Sequence, residues 1–212
     1  MTTTSPSRAP RRDAAENRAA LLSAAKVVLN RDPSAPLEAI AAEAGLSRRS
    51  VYGHFATRDD LLLELVMSGT RRIADALARV THPDPLTRLA LIATNLWREV
   101  ESVRVMAVVA IRGPLAAHTA AALDPIRMSV REAIRDGQAG GTMRQDISAE
   151  RLARLVEHSA LGVLEESAGH PLGVREGHQL VMLMALGAVG LGWHDAERFI
   201  TGQPELQWKD GE

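Results

Sequence analysis

Cysteine is absent from the 212-residue chain. With it go disulfides, thiolate metal sites and thiol nucleophiles. Aromatic residues are scarce at 3%, which leaves little material for a cage around a planar cation. Phosphate loops, nucleophile motifs and His-x-x-x-His pairs are missing too, so the chain is expected to be no enzyme and to need no cofactor or metal. The N-terminal stretch from Met1 to Asn17 holds Thr, Ser, Pro and Arg but no apolar segment, unlike a secretory signal. The most apolar stretch, Gln179 to Trp193, is shorter than the roughly 20 residues a membrane-spanning helix needs. A cytoplasmic protein that does not engage a membrane is expected.

What is present is first of all a hidden charge asymmetry. The formal net charge is -1, but residues 1–58 carry nine Lys plus Arg against five Asp plus Glu, and the remainder carries sixteen against twenty-one. A basic head on an acidic body suits a chain whose front end meets a polyanion.

Nearly every segment has helical periodicity, and no β-branched or aromatic run of period two occurs. The expected fold class is all-α. A first helix opens at Asp13, with Glu16 in its first turn, and carries Leu21, Leu22, Ala25, Val28 and Leu29 on one face. A short second helix starts at Pro36 and ends at Gly45, and Ser47 caps a short third helix from Arg48 to His54. Thr57 and Asp60 form a capping box that starts a fourth helix at Arg58, running toward Val80. Further helices are expected from Leu86 to about Ile111, from Asp124 to Gly137, from Ser148 to about Ser167 and from Val174 to about Trp193.

The expected domains are a disordered basic tail over 1–12, a three-helix helix-turn-helix domain over 13–61, a larger helical domain over 62–203, and a tail over 204–212. Two short helices joined by a glycine-containing turn present the second helix to a DNA major groove while the first lies across the phosphates. Ala41 is small at the crossing, Gly45 supplies a positive φ, and Leu46 and Val51 fill the space between the helices.

The stretch Ala39-Ile-Ala-Ala-Glu-Ala-Gly-Leu-Ser47, then Val51-Tyr-Gly-His-Phe55 and Thr57-Arg-Asp-Asp-Leu61, resembles the TetR family of regulators over about fifty residues. The resemblance implies a ligand-responsive transcriptional regulator, most simply a repressor, that binds a palindromic site on double-stranded DNA as a homodimer. It implies that Arg48 and Arg49 reach base edges while Ser50, Tyr52, His54 and Arg58 grip phosphates. An arginine bidentate to guanine gives roughly 1–3 kcal/mol of discrimination. Two positions depart from the family: Leu37 stands where threonine is common and Ala56 where lysine is frequent. Both changes remove phosphate contacts and throw weight onto Arg58.

The stretch Gly177 to Trp193 contains no charged residue and calls for a covering partner. Leu180, Leu183, Met184, Gly187 and Leu191, with Leu152, Leu155, Ser159, Gly162 and Val163 of the preceding helix, are the expected four-helix dimer interface. For the unidentified small-molecule effector, the candidate pocket residues are Trp97, Met106, Met128 and His158. The competing readings are a metal-responsive regulator using His158 and nearby glutamates, and a helical interaction protein without DNA binding.

Overall fold

The computed structural model describes residues 10–170 and 172–208, with side chains from residue 13 onward; the expected tail over 1–12 falls largely outside the described residues. Among these residues the chain is all-helical, with no strand. It divides into two compact units, 1–66 and 67–212, the division falling within the fourth helix.

The first unit holds α1 (Pro10–Arg31), α2 (Leu37–Glu43), α3 (Arg48–His54) and the start of α4 (Arg58–Leu77). α1 packs on α2, and α2 on α3. The i, i+4, i+8 positions Leu21, Ala25 and Leu29 of α1 are fully buried, as are Ile40 and Val51, because one apolar stripe per amphipathic helix is turned inward. Arg18 ties the unit together: it pairs with Glu64, donates through Nη1 to the His54 carbonyl at 2.9 Å and lies 4.4 Å from the Phe55 ring centroid.

The second unit contains the rest of α4 and α5 (Pro85–Val100), α6 (Arg104–Arg112), α7 (Ala116–Ala139), α8 (Ala149–Gly169), α9 (Val174–Ala188) and α10 (Trp193–Gly202). α9 packs on both α5 and α8, α7 lies against α5 and α8, and α10 closes on α9. Trp97, Leu152, Met182 and Leu186 form the centre of its core. Asp84 caps α5 by accepting from the Thr87 amide at 2.7 Å, with Pro85 in the first turn.

Three helices depart from the sequence-based expectation. The long helix expected from Leu86 to Ile111 is broken by a 3-10 turn at Glu101–Val103. α7 begins at Ala116, well before Asp124, and runs through Pro125. A proline removes one helical donor and crowds the carbonyl a turn earlier, here that of Ala121, yet α7 continues through it. The last expected helix ends at Ala188, because Gly190 turns the chain at φ +111, and α10 follows as a separate element.

His178 on α9 is 3% exposed, with its ring edge-on to Trp208 at 5.1 Å. Burial, then the nearby Arg98 charge, push its pKa from 6.5 down to about 4. Between those values the unfolded chain binds a proton that the folded one refuses, so the neutral ring's contribution is whole above about pH 6.5 and lost as pH falls toward 4. The loss is at most about 3 kcal/mol. Thermal unfolding followed from pH 7 to pH 4 is expected to show a falling midpoint, with a visibly shallower fall in His178→Gln.

Candidate nucleic-acid interface and effector cavity

The turn between α2 and α3 is built locally. Gly45, at φ +67, donates to the Ala42 carbonyl at 3.1 Å, and Leu46 donates to the Ala41 carbonyl at 2.9 Å. This paired closure of a helix end requires a left-handed residue after the cap, which glycine adopts without Cβ strain. Ser47 Oγ then accepts from the Ser50 amide at 3.1 Å and starts α3. The capping box closes reciprocally: Thr57 N donates to Asp60 Oδ2 at 2.9 Å and Asp60 N to Thr57 Oγ1 at 3.1 Å.

Val51 and Phe55 point into the unit, at 0% and 2% exposure. The opposite side of α3 presents Arg48, Arg49 and Tyr52 to solvent, whereas Ser50 and His54 are half-buried. Arg48 and Tyr52 converge on Glu38 of α2: the Tyr52 hydroxyl donates to Glu38 Oε1 at 3.0 Å, and Arg48 Nη2 lies 3.1 Å from the same oxygen. The carboxyl is held below its ordinary range by its own backbone amide first, then by Tyr52 and by the Arg48 charge. Glu38 is a residue of this surface that the sequence did not single out; its position fourteen residues before Tyr52 carries no short-range signal.

Arg58 is not a free surface cation. Its Nε donates to the Ala35 carbonyl at 2.9 Å and a terminal nitrogen donates to the Pro33 carbonyl. The side chain thus closes the loop between α1 and α2. Leu37, which lacks a hydroxyl, is buried at 4% exposure.

The second unit encloses a cavity of about 620 Å³ between α4, α5, α6, α7, α8 and α9. Trp97 and His158 line it; Met106 and Met128 do not. The α7 residues facing the cavity are Thr119, Leu123, Ile126, Arg127, Val130 and Arg131, an i, i+4, i+7, i+8, i+11, i+12 stripe that leaves Met128 outside, 55% exposed. On α6 the stripe is Ala107, Ala110 and Ile111, and Met106 is buried off it. Arg127 pairs with Glu157 at 2.7 Å, which raises its already high pKa.

An open groove runs over α8 and α9, bounded by Leu155, Ser159, Gly162, Val163, Leu180 and Met184. Leu155 and Met184 are 42% and 45% exposed. Nothing lies within 4 Å of a Cβ built at Gly162 or Gly187. Leu183 and Leu191 are half-buried against the unit's own core, and Leu152 belongs to that core with no exposed surface. The placement of Leu152 at a dimer surface is therefore corrected: it packs within its own chain, on the inward side of α8. Among the described residues no group of three or more His, Asp or Glu is placed to hold a metal ion, and no single helix is long and apolar enough to cross a membrane.

Residues 21–65 match the family model described as bacterial regulatory proteins, tetR family. No curated protein sequence matches the chain. Among solved structures, a tetR-family regulatory protein from Rhodococcus RHA1 shares 20% identity at a TM-score of 0.68, covering 84% of this chain and 98% of that one. SmeT, the repressor of the Stenotrophomonas maltophilia multidrug efflux pump SmeDEF, shares 23% identity at a TM-score of 0.63, covering 81% and 89%. The transcriptional regulator FadR from Bacillus subtilis, solved with stearoyl-CoA, shares 12% identity at a TM-score of 0.67, covering 81% and 97%. These likenesses are of fold.

Proposed function

We propose that the chain, whose residues 21–65 match the tetR family of bacterial regulatory proteins, functions as a cytoplasmic, non-enzymatic, one-component repressor of that family. It binds a palindromic operator as a homodimer and is released by a small molecule held in the second unit. The observation that carries this reading is the Ser47-capped α3, whose outer side offers Arg48, Arg49 and Tyr52 together while Val51 and Phe55 anchor the inner side. Two such helices meet successive major grooves when they stand roughly 34 Å apart. A ligand releases them only if it binds better to the protomer spacing that misses the half-sites. The cavity supports a ligand-responsive role, as do SmeT, named as a repressor, and FadR, solved with a bound acyl thioester.

On this reading Arg49 and Arg48 take base edges, Tyr52, Ser50, His54 and Arg58 take backbone, and Glu38 competes with DNA for Arg48 and Tyr52. Footprinting on the DNA beside the protein's own gene, with a salt series, tests this. The expected result is a protected palindrome. Arg49→Ala loses roughly 5- to 100-fold in operator affinity and relaxes one base position per half-site. Glu38→Gln binds all DNA several-fold more tightly, roughly 3- to 10-fold at low salt, because a carboxylate beside phosphates is gone. A protein that protects no site, or an Arg49→Ala variant with parental affinity, overturns the proposal.

A further inference from the structure

The cavity of the second unit is chemically two-ended. Every charged residue in its lining comes from α7 or α8: Arg127, Arg131, Glu150, Arg154 and Glu157. The stretches of α4, α5, α6 and α9 that complete it add only apolar side chains and the hydroxyl of Thr70. The charged end is not balanced. Glu157 is committed to Arg127 at 2.7 Å, and Glu150 to Arg135 at 2.5 Å, with the Arg131 charge also acting on Glu150. Arg154 has no ion-pair or hydrogen-bond partner among the described residues, and what remains for a ligand at that end is a guanidinium. A cationic ligand would meet carboxylates already occupied, and the lining offers only the Trp97 indole and the His158 imidazole as ring surfaces among the described residues, which disfavours stacked planar rings.

We infer that the ligand is an unbranched aliphatic monocarboxylate, its head paired with Arg154 at the α7–α8 end and its chain filling the apolar remainder of the cavity. The inference rests on the reading of this cavity as the effector site. At the ~30 Å³ that a water molecule occupies in the liquid, 620 Å³ holds roughly 20 non-hydrogen atoms. A chain of about 12 carbons with its carboxylate fits within that number. Carboxylate on guanidinium is a charge-assisted pair that neither an ester nor an amine can form.

Calorimetry on the full chain with octanoate, decanoate, dodecanoate, methyl dodecanoate and dodecylamine tests the assignment. Affinity is expected to rise roughly fourfold per methylene. Dodecanoate is expected to bind at least tenfold more tightly than the ester or the amine. Arg154→Gln, a change at an exposed position, is expected to abolish that preference while leaving the ester's affinity unchanged. Equal or tighter binding of the ester or amine, an Arg154→Gln variant that keeps the preference, or no binding of any acid overturns the assignment. A mobility-shift assay with the footprinted fragment separates the two readings. If dodecanoate binds with the expected head-group and chain-length dependence and the DNA stays bound, the acid site stands and the effector role falls. If other compounds release the DNA and no acid binds, the effector role stands and the acid assignment falls.

Discussion

Gly177→Ala is expected to destabilise the second unit by about 3 kcal/mol or more, an overpacking effect at the upper end of the usual range. A Cβ built at Gly177 would sit 1.9 Å from Cζ2 of Trp97 and 2.5 Å from two further ring atoms. The indole cannot step aside. It is 2% exposed, and its Nε1 donates to the Val174 carbonyl at 3.0 Å, one turn before Gly177 on α9. The added methyl therefore has to push α9 away from α5, the pairing on which the core centre is built. In a chain of this length the loss corresponds to a midpoint lowered by roughly 10 °C. Trp97→Leu also destabilises, but it removes the obstacle, so Gly177→Ala in that background is expected to cost much less than in the parent. Denaturant titration of the four proteins measures this coupling. Additive losses, or a Gly177→Ala protein with the parental midpoint, would show that the α5–α9 contact is not as close as described. Because Trp97 also lines the cavity, ligand affinity should fall along with stability in Gly177→Ala.

The features legible in the sequence were those whose cause lies within a few residues. The Ser47 cap, the Thr57–Asp60 box and the positive φ of Gly45 are each settled by one side chain and its immediate backbone. The α3 boundaries follow from them. The break at Glu101–Val103 has neither glycine nor proline to announce it; nearby, Arg104 Nη1 reaches the Leu172 carbonyl at 3.2 Å, a bond across 68 residues. Pro125 misled in the other direction: a proline is read as a helix start, yet α7 begins nine residues before it and runs through. The DNA-facing surface was legible as a set of residue types but not as a set of roles. Arg58 reads from the sequence as a cation at the start of a helix, and that its donors reach two loop carbonyls, at Pro33 and Ala35, is visible only in the structure. Glu38, which faces Arg48 and Tyr52, lies on a different helix. Of the four residues expected at the cavity, the two that reach it, Trp97 and His158, fall in register with the inward stripes of α5 and α8. Register of this kind depends on helix starts, which the sequence placed well for α8 and poorly for α7.

The second large effect concerns the groove over α8 and α9. If that groove is where two copies meet, each residue at its centre faces the same patch of its partner, as any two-fold interface requires. A charge placed there is introduced twice and left buried without a counterion. Leu155→Glu combined with Met184→Glu is therefore expected to give a monomer at concentrations where the parent is a dimer, measured by sedimentation or native mass spectrometry. Both side chains are more than two-fifths exposed in the single chain, so the variant should keep its helical content, and its own fold should be little weakened. Operator affinity should fall on the order of 100-fold or more, because each half-site is then bound without the help of a tethered second head. Weak, salt-sensitive binding to any duplex should survive, since that term depends on the basic residues of 1–58 and not on pairing of the chains. Met128→Glu, an equally exposed methionine outside the groove, serves as the control and should leave the dimer and the footprint intact. A double-glutamate variant that still sediments as a dimer and still protects the palindrome would move the interface elsewhere. One that is monomeric yet protects the full site would show that pairing of the heads is not what makes a single seven-residue reading helix sufficient.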